Sequence, residues 1–97
     1  MRVYWTDEAL VHLDNIYRYI AEDSPVYARR MVDKITRRSR QIGGFPQSGR
    51  MVPEYQSIDI REVIEPPYRI VYRVTPNRVD VLAVFHGAQS LPDDATA

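Results

Sequence analysis

The stretch "YRIVYRVTPNRVDVLAVFH", residues 68–86, decides the fold of this chain. Its first half alternates in the two-residue period of a β-strand, so one face is expected to carry Tyr68, Ile70, Tyr72 and Val74. "TPNR" then has proline second and asparagine third, which is typical of a β-turn. The second half, "VDVLAVFH", is apolar on both faces apart from Asp80 and His86, which predicts the central strand of a sheet. The stretch therefore predicts a β-hairpin in the interior of a sheet.

A further strand and a long loop are predicted upstream of this hairpin. "SIDIREVIE", residues 57–65, alternates isoleucine with charged residues, and Pro66-Pro67 ends it because neither proline donates a hydrogen bond to a sheet. "GGFPQSGRMVPEY", residues 43–55, contains three glycines and two prolines and predicts a loop. The loop carries Arg50, which is either a functional side chain on adaptable backbone or a surface arginine paired with Glu54.

The N-terminal half predicts a short strand followed by two helices. "RVYW" is the strand, and Thr6 is a suitable N-cap for an amphipathic helix over residues 7–22. Ser24 and Pro25 begin a second helix, whose apolar spacing continues to residue 42 before two glycines. The element order is then β-α-α-β-β-β. It predicts an α+β fold in which a helical hairpin packs on one face of a mainly antiparallel sheet.

Length and composition indicate a single small domain over residues 1–86 with a polar C-terminal tail over residues 87–97. Cysteine is absent, which excludes disulfides, thiolate metal sites and cysteine nucleophiles. His12 has no second ligand one helical turn away, so it is expected at the surface, and no metal or cofactor is predicted. No stretch has the character of a secretory signal or a membrane span, which favours a cytoplasmic protein without a membrane partner.

The charges cancel overall but are unevenly distributed. Thirteen basic and thirteen acidic residues balance, yet acidic residues dominate residues 1–23 and basic residues dominate residues 29–50. Twelve of the thirteen basic residues are arginine, whose planar guanidinium binds phosphate and carboxylate groups in a bidentate manner. The pattern indicates a surface that binds an anionic partner, which is either nucleic acid or an acidic protein segment. The alternative is an ordinary helix face exposed to solvent.

Several motifs in order resemble one family. The first helix has the form "W…A…L…I…YI", a second follows "P…A", and then come "FPQSGRMVPE", "PYRIVYRV" and a final "VFHGAQ". In these motifs the chain resembles toxins of the RelE/ParE superfamily, and more closely the ParE-like members. The resemblance implies a cytoplasmic toxin of a type II toxin–antitoxin system, wrapped and neutralised by a cognate antitoxin. RelE-like members cut messenger RNA on the ribosome, whereas ParE-like members poison DNA gyrase.

The resemblance to RelE-like members implies candidate catalytic residues at Arg61, Arg69 and His86. Metal-independent RNA cleavage needs a proton-transfer group and cations around the phosphate, which a histidine and arginines supply. The alternatives are ion pairs of the strand arginines with Glu62, Glu65 or Asp80, and a hydrogen bond from His86 to backbone or to Asp80. Two departures weaken the endoribonuclease hypothesis: Lys34 is the only lysine, and Gln89 replaces an arginine common in relatives.

The leading hypothesis is therefore a ParE-like toxin that inhibits gyrase by binding it, which requires a complementary surface and no catalytic base. The residues predicted to contact the target or the antitoxin are Arg37, Arg38, Arg50 and Arg73. A RelE-like, ribosome-dependent mRNA endonuclease is the alternative, so enzymatic activity stays open. A non-toxic nucleic-acid-binding module is a further alternative.

Overall fold

A computed structural model describes residues 1–87 of the chain. Five strands form one sheet in the order β1-β5-β4-β3-β2, in which β1 is parallel to β5 and the other neighbours are antiparallel. The predicted α+β fold is confirmed, with one extra strand, while the predicted tail lies outside the described residues except for Gly87. The elements are β1 (Arg2–Trp5), α1 (Asp7–Ala21), α2 (Pro25–Gly44), β2 (Arg50–Met51), β3 (Ile60–Glu65), β4 (Tyr68–Val74) and β5 (Arg78–His86).

Side-chain caps begin both helices where the sequence predicts them. The Thr6 hydroxyl accepts a hydrogen bond from the Ala9 amide at 3.2 Å, and the Ser24 hydroxyl accepts one from Tyr27 at 3.1 Å. The end of α2 differs from the prediction, because the helix continues through both glycines to Gly44. Gly43 is buried against β1, and a Cβ atom there would collide with the carbonyl oxygen of Met1. The glycine therefore serves close packing rather than helix termination.

The main hydrophobic core lies between the two helices and the sheet. The predicted alternation along β4 is confirmed, since Tyr68, Ile70 and Tyr72 all face the helices. Burial of apolar side chains at this interface supplies most of the driving force for folding. The other buried members of this core are Ala9, Met31, Ile35, Ile42, Val63, Val79, Val81 and Val84.

A second, smaller core covers the opposite face of the sheet. Val52 and Tyr55 from the β2–β3 connection pack there over Ile60, Val71 and Ala83. The register between β4 and β5 shifts beside Val71, so that β5 has one extra residue at this point. Burial on both faces explains the continuous apolar character of β5. The strand lies between β1 and β4, however, and the middle strand of the sheet is β4, which corrects the prediction.

The region before β4 also departs from the prediction in two places. Residues 50 and 51 form the edge strand β2 within the predicted loop, paired with Glu62 and Arg61. The next strand begins at Ile60 rather than at residue 57, and Ile58 is 68% exposed. Ile64 is 42% exposed as well and lines an open cavity together with Pro53 and Glu54.

α1 covers the edge of β5 where β1 ends. β1 pairs only with the first four residues of β5, through Val81. Beyond that point the Val84 amide donates a hydrogen bond to His12 Nδ1 at 3.3 Å, and the His12 ring lies 5.1 Å from the Phe85 ring. His12 is thus half-buried and structural, not a free surface residue as the sequence predicted. No helix within residues 1–87 is long and apolar enough to cross a membrane.

Candidate functional site

The strand register places two of the candidate catalytic residues on opposite faces of the sheet. Tyr68 lies opposite His86 on the helix-covered face, and their rings are 5.7 Å apart in an edge-to-face arrangement. Arg69 is the next residue along β4, so its side chain points to the other face. A sheet of packed side chains and backbone therefore separates Arg69 from His86.

Arg61, the third candidate, faces the helices but lies at the other end of the sheet. It is opposite Tyr72 on β4, four residues from Tyr68, which corresponds to about 13 Å along the strand. Its guanidinium donates to the Gly49 carbonyl at 2.9 Å and to Gln47 Oε1 at 3.3 Å. Arg61 holds the preceding loop in place, and the structure does not bring Arg61, Arg69 and His86 together.

Arg69 instead belongs to a four-residue ion-pair network on the face opposite the helices. Its two terminal nitrogens donate to the two carboxylate oxygens of Glu54, each at 2.9 Å. Its Nε donates to Glu62 Oε1 at 2.7 Å, and the other oxygen of Glu62 accepts from Arg50 Nε at 2.6 Å. The ion-pair alternative thus describes both arginines, although the partner of Arg50 is Glu62 and not Glu54.

The network is electrically balanced, and its central pair, Arg69 and Glu62, is withdrawn from water. The Glu62 side chain has no exposed surface, and the Arg69 side chain is only 9% exposed. Hydrogen bonding to Glu54 is the main cause that raises the pKa of the Arg69 guanidinium, against the opposing effect of burial. Arg69 therefore stays charged at every accessible pH, with its positive charge offset by two carboxylates.

An open cavity of about 370 Å³ borders the network. Glu54 and Arg69 place a carboxylate and a guanidinium side by side in its wall, an arrangement that suits a proton acceptor next to a phosphate-binding group. Sequence reasoning considered Glu54 only as a partner of Arg50. The available signal was that Glu54 is the one acidic residue between positions 43 and 58. The full lining is Arg50, Pro53, Glu54, Ile64, Pro66, Pro67, Arg69 and Gly87.

The four arginines predicted to bind the target or the antitoxin form two separate groups. Arg37 is exposed and Arg38 half-buried on α2, on the helix-covered side of the sheet. The Arg50 side chain is 63% exposed on the edge strand, and Arg73 is half-buried on β4 opposite Ile60. A single flat partner surface does not reach both groups at once. Within residues 1–87 no group of three or more histidine, aspartate or glutamate side chains is arranged to hold a metal ion.

The loop between α2 and β2 is held rigidly beside these residues. The buried Tyr72 hydroxyl accepts a hydrogen bond from the Gly49 amide at 2.9 Å and donates one to the Pro46 carbonyl at 2.8 Å. A Cβ atom at Gly49 would collide with that hydroxyl and with the Glu62 carbonyl oxygen. Burial raises the pKa of the Tyr72 phenol, so the group remains protonated and keeps donating at neutral pH.

Two curated protein sequences align with nearly the whole chain. "Toxin RelE2" of Caulobacter vibrioides is 33% identical over 89 residues, which cover 91% of this chain and 97% of that protein. "Putative toxin Y4kP" of Sinorhizobium fredii is 33% identical over 93 residues, covering 94% of this chain and 93% of that protein.

Two solved structures share the fold. A chain from the chromosomal ParDE toxin–antitoxin system of P. aeruginosa superposes with a TM-score of 0.74 at 24% identity, over 89% of this chain and 95% of that one. A YoeB/ParE toxin from Agrobacterium tumefaciens gives a TM-score of 0.60 at 22% identity, over 89% and 98% of the two chains. The family described as "ParE toxin of type II toxin-antitoxin system, parDE" matches residues 3–91. With this match and the two relatives aligned over nearly their full lengths, the chain belongs to the ParE toxin family of type II toxin–antitoxin systems.

Proposed function

We propose that this toxin inhibits DNA gyrase by binding and that a cognate antitoxin neutralises it in the cytoplasm. The observation that carries the proposal is the separation of Arg61, Arg69 and His86 within residues 1–87, so that the three residues predicted to cut RNA share no reaction centre. Arg69 is in addition neutralised by its own carboxylate partners. A protein that acts by binding needs only a complementary surface. The match to the ParE family and the fold shared with a ParDE toxin–antitoxin system support this target.

Exposed apolar residues on the helical hairpin supply a surface for the antitoxin. Leu10, Val11 and Tyr17 on α1 are 38–57% exposed, and Val26 and Tyr27 at the start of α2 are 64% and 49% exposed. An amphipathic segment that folds on binding buries side chains of this kind. We infer that the antitoxin covers part of this hairpin surface.

Purified toxin tests the target directly. We expect it to block supercoiling of relaxed plasmid by gyrase and to increase the amount of cleaved plasmid recovered after detergent denaturation. Addition of the cognate antitoxin is expected to restore supercoiling. Unchanged supercoiling at a large molar excess of folded toxin, together with cleaved messages in a translation reaction, would contradict the proposal.

Endoribonuclease activity is a second candidate because of one specific arrangement. Glu54 and Arg69 lie 2.9 Å apart in the wall of an open cavity, so Glu54 is placed to accept a proton while Arg69 binds the phosphate. His86 takes no part, since it lies on the other face of the sheet. This arrangement requires RNA to displace one of the two Glu54 hydrogen bonds.

The variant Glu54→Gln separates the two candidates. It keeps the side-chain shape and removes the proton acceptor, so an endoribonuclease is expected to lose at least about a hundredfold in cleavage rate. Gyrase inhibition is expected to remain. Glu22→Gln, at an exposed position beyond α1, is the control with the same change of charge. To measure cleavage, each variant is incubated with ribosomes that carry a defined messenger RNA, and the ends of the cut RNA are mapped.

A further inference from the structure

The outer side of α2 carries a continuous row of cations. Five basic residues project from the half of the helix that faces away from the sheet, because at 100° per residue they fall opposite the buried positions Ala28, Met31, Ile35 and Ile42, and Arg38 lies half-buried at the border of that half. The basic face consists of Arg29, Arg30, Lys34, Arg37, Arg38 and Arg40.

These cations are not neutralised by ion pairs. The salt bridges found within residues 1–87 engage Arg18, Arg50, Arg69 and Arg78, and none involves α2. On the basic face Arg37 Nε donates to the Asp33 backbone carbonyl at 3.4 Å, and Arg38 Nη1 donates to the Gln41 side chain at 3.0 Å. Asp33 is the only acidic residue of the helix, which leaves a net charge of +5 in a chain whose total is zero.

One more carboxylate borders the basic face from the sheet. Glu65, at the end of β3, shares a shallow cavity of about 270 Å³ with Lys34, Arg37, Arg38 and Gln41. It forms no ion pair within 4 Å with any of them. Asp33 and Glu65 therefore reduce the positive potential of the basic face without cancelling it.

The composition of the basic face selects the kind of partner. Between Ala28 and Gly44 every exposed residue of α2 is polar or glycine, whereas the exposed apolar residues Val26 and Tyr27 lie in its first turn and Phe45 follows its last residue. A protein segment needs apolar positions to bury its own side chains, and a single-stranded nucleic acid needs aromatic rings on which its bases stack. The sugar-phosphate backbone of a duplex requires cations alone.

We propose that the basic face of α2 binds the phosphate backbone of duplex DNA independently of sequence. Twenty helical residues extend about 30 Å, and Arg30, Lys34 and Arg37 are spaced about 4.5–6 Å apart along the axis, which allows several phosphate contacts at once. This DNA contact is a property of the toxin itself and does not depend on the identity of its protein target.

Fluorescence anisotropy with a labelled duplex of roughly two helical turns tests the inference. Titrations of the full-length toxin at about 50 and 200 mM salt are expected to show affinity falling with salt at a log–log slope near −0.9 for each phosphate contacted. In the variant Arg30→Gln/Lys34→Gln/Arg37→Gln the slope is expected to become shallower by about 2.7, with at least about tenfold weaker binding at the lower salt concentration. All three side chains are exposed and glutamine is a good helix former, so the variant is expected to fold.

Two control variants make the result specific to the basic face. Arg2→Gln/Arg18→Gln/Arg78→Gln removes the same charge from exposed positions elsewhere and is expected to bind almost like the native toxin. Glu65→Gln removes a carboxylate beside the basic face and is expected to bind several-fold more tightly. Equal salt slopes for the two triple variants would overturn the inference. Tighter binding of a single-stranded RNA than of the duplex, or binding of a poly-glutamate peptide in place of the duplex, would overturn it too.

Discussion

Glu62 is a fully buried carboxylate shared by two arginine side chains, Arg69 and Arg50. A buried carboxylate is stable only when its charge and its hydrogen-bonding capacity are met. Here one oxygen of Glu62 accepts a hydrogen bond from Arg69, and the other oxygen accepts one from Arg50. The guanidinium of Arg69 also donates to the carboxylate of Glu54, which lies nearer the surface. Arg69, one of the residues predicted to cut RNA, thus holds this face of the sheet together.

This arrangement predicts unequal effects of two similar substitutions. Glu62→Gln leaves the buried Arg69 with one charged partner fewer, and we expect the free energy of unfolding to fall by about 3 kcal/mol. Glu54→Gln is expected to cost less than about 1 kcal/mol, because the Glu54 side chain is 29% exposed and water replaces part of its role. Urea denaturation of both variants measures the difference. Equal losses would contradict the view that Glu62 is the central residue of the network.

Removal of the buried hydroxyl group of Tyr72 is expected to lower the stability of the fold. Tyr72→Phe leaves the Gly49 amide and the Pro46 carbonyl without their partner, so we expect a decrease of about 1–3 kcal/mol in the free energy of unfolding. Tyr19→Phe, at a tyrosine that is 75% exposed, is the matched control and is expected to cause no measurable change. Similar denaturation midpoints for the two variants would argue against the loop contact.

The same tyrosine predicts a pH dependence in the alkaline range. Burial raises the pKa of Tyr72 and of Tyr68, so the unfolded chain loses these protons first as the pH rises. The contribution of these two phenols to the free energy of unfolding is fully present below the ordinary tyrosine pKa of about 10, and it decreases as the pH rises above that value. We expect the alkaline loss of stability to be smaller in Tyr72→Phe than in the native chain, which thermal melts at several pH values measure. An unchanged alkaline profile would contradict this assignment.

At the scale of elements, α1 completes the sheet where β1 ends. Among residues 1–87 no strand lies beside the backbone of β5 past Val81 on that side, and unpaired strand edges promote association with other chains. His12 reaches this edge from α1 and accepts the Val84 amide hydrogen bond. The helix therefore contributes a polar contact as well as apolar packing to the sheet.

The substitution His12→Ala is expected to expose the backbone of β5 to solvent exchange at this edge only. The Val84 amide loses its acceptor, so we expect its hydrogen exchange to accelerate by at least about tenfold under native conditions. The Val71 amide, in the interior of the sheet, is expected to change little. Asp14→Ala, on the exposed side of the same helix, serves as the control. NMR-detected exchange reports both amides, and uniform acceleration across the sheet would indicate global destabilisation instead.

For the whole molecule, function depends on how the sheet separates its two faces. His86 and Arg61 lie on the helix-covered face about 13 Å apart along β4, and Arg69 lies on the other. Acidic residues of α1 and basic residues of α2 likewise occupy different parts of the surface. Although its net charge is zero, the chain thus presents separate regions of opposite charge. Such a distribution orients the protein so that its basic region faces an anionic partner.

We therefore expect Arg61→Ala and His86→Ala to leave gyrase inhibition within about threefold of the native toxin, since no shared reaction centre is lost. Inhibition of supercoiling by purified, folded variants is the measurement. A loss of several orders of magnitude in either variant would indicate catalysis and would favour the nuclease alternative.

Most of the elements and their order follow from local sequence signals. Capping residues, apolar periodicity and prolines act over a few positions, so the two helices, the hairpin over residues 68–86 and the end of β3 at Glu65 were all predictable. The short edge strand at Arg50 and the exposure of Ile58 were not, because pairing and covering depend on which distant segment arrives there.

Which side chains meet depends on how the elements pack against one another. Glu54 and Arg69 are 15 positions apart in the chain, and His12 and Val84 are 72 apart. Such contacts follow from strand order and register, and a shift of one residue would send every side chain of a strand to the opposite face. The candidate catalytic residues were visible as residue types in the sequence. Their separation became visible only once the register of β3, β4 and β5 was known.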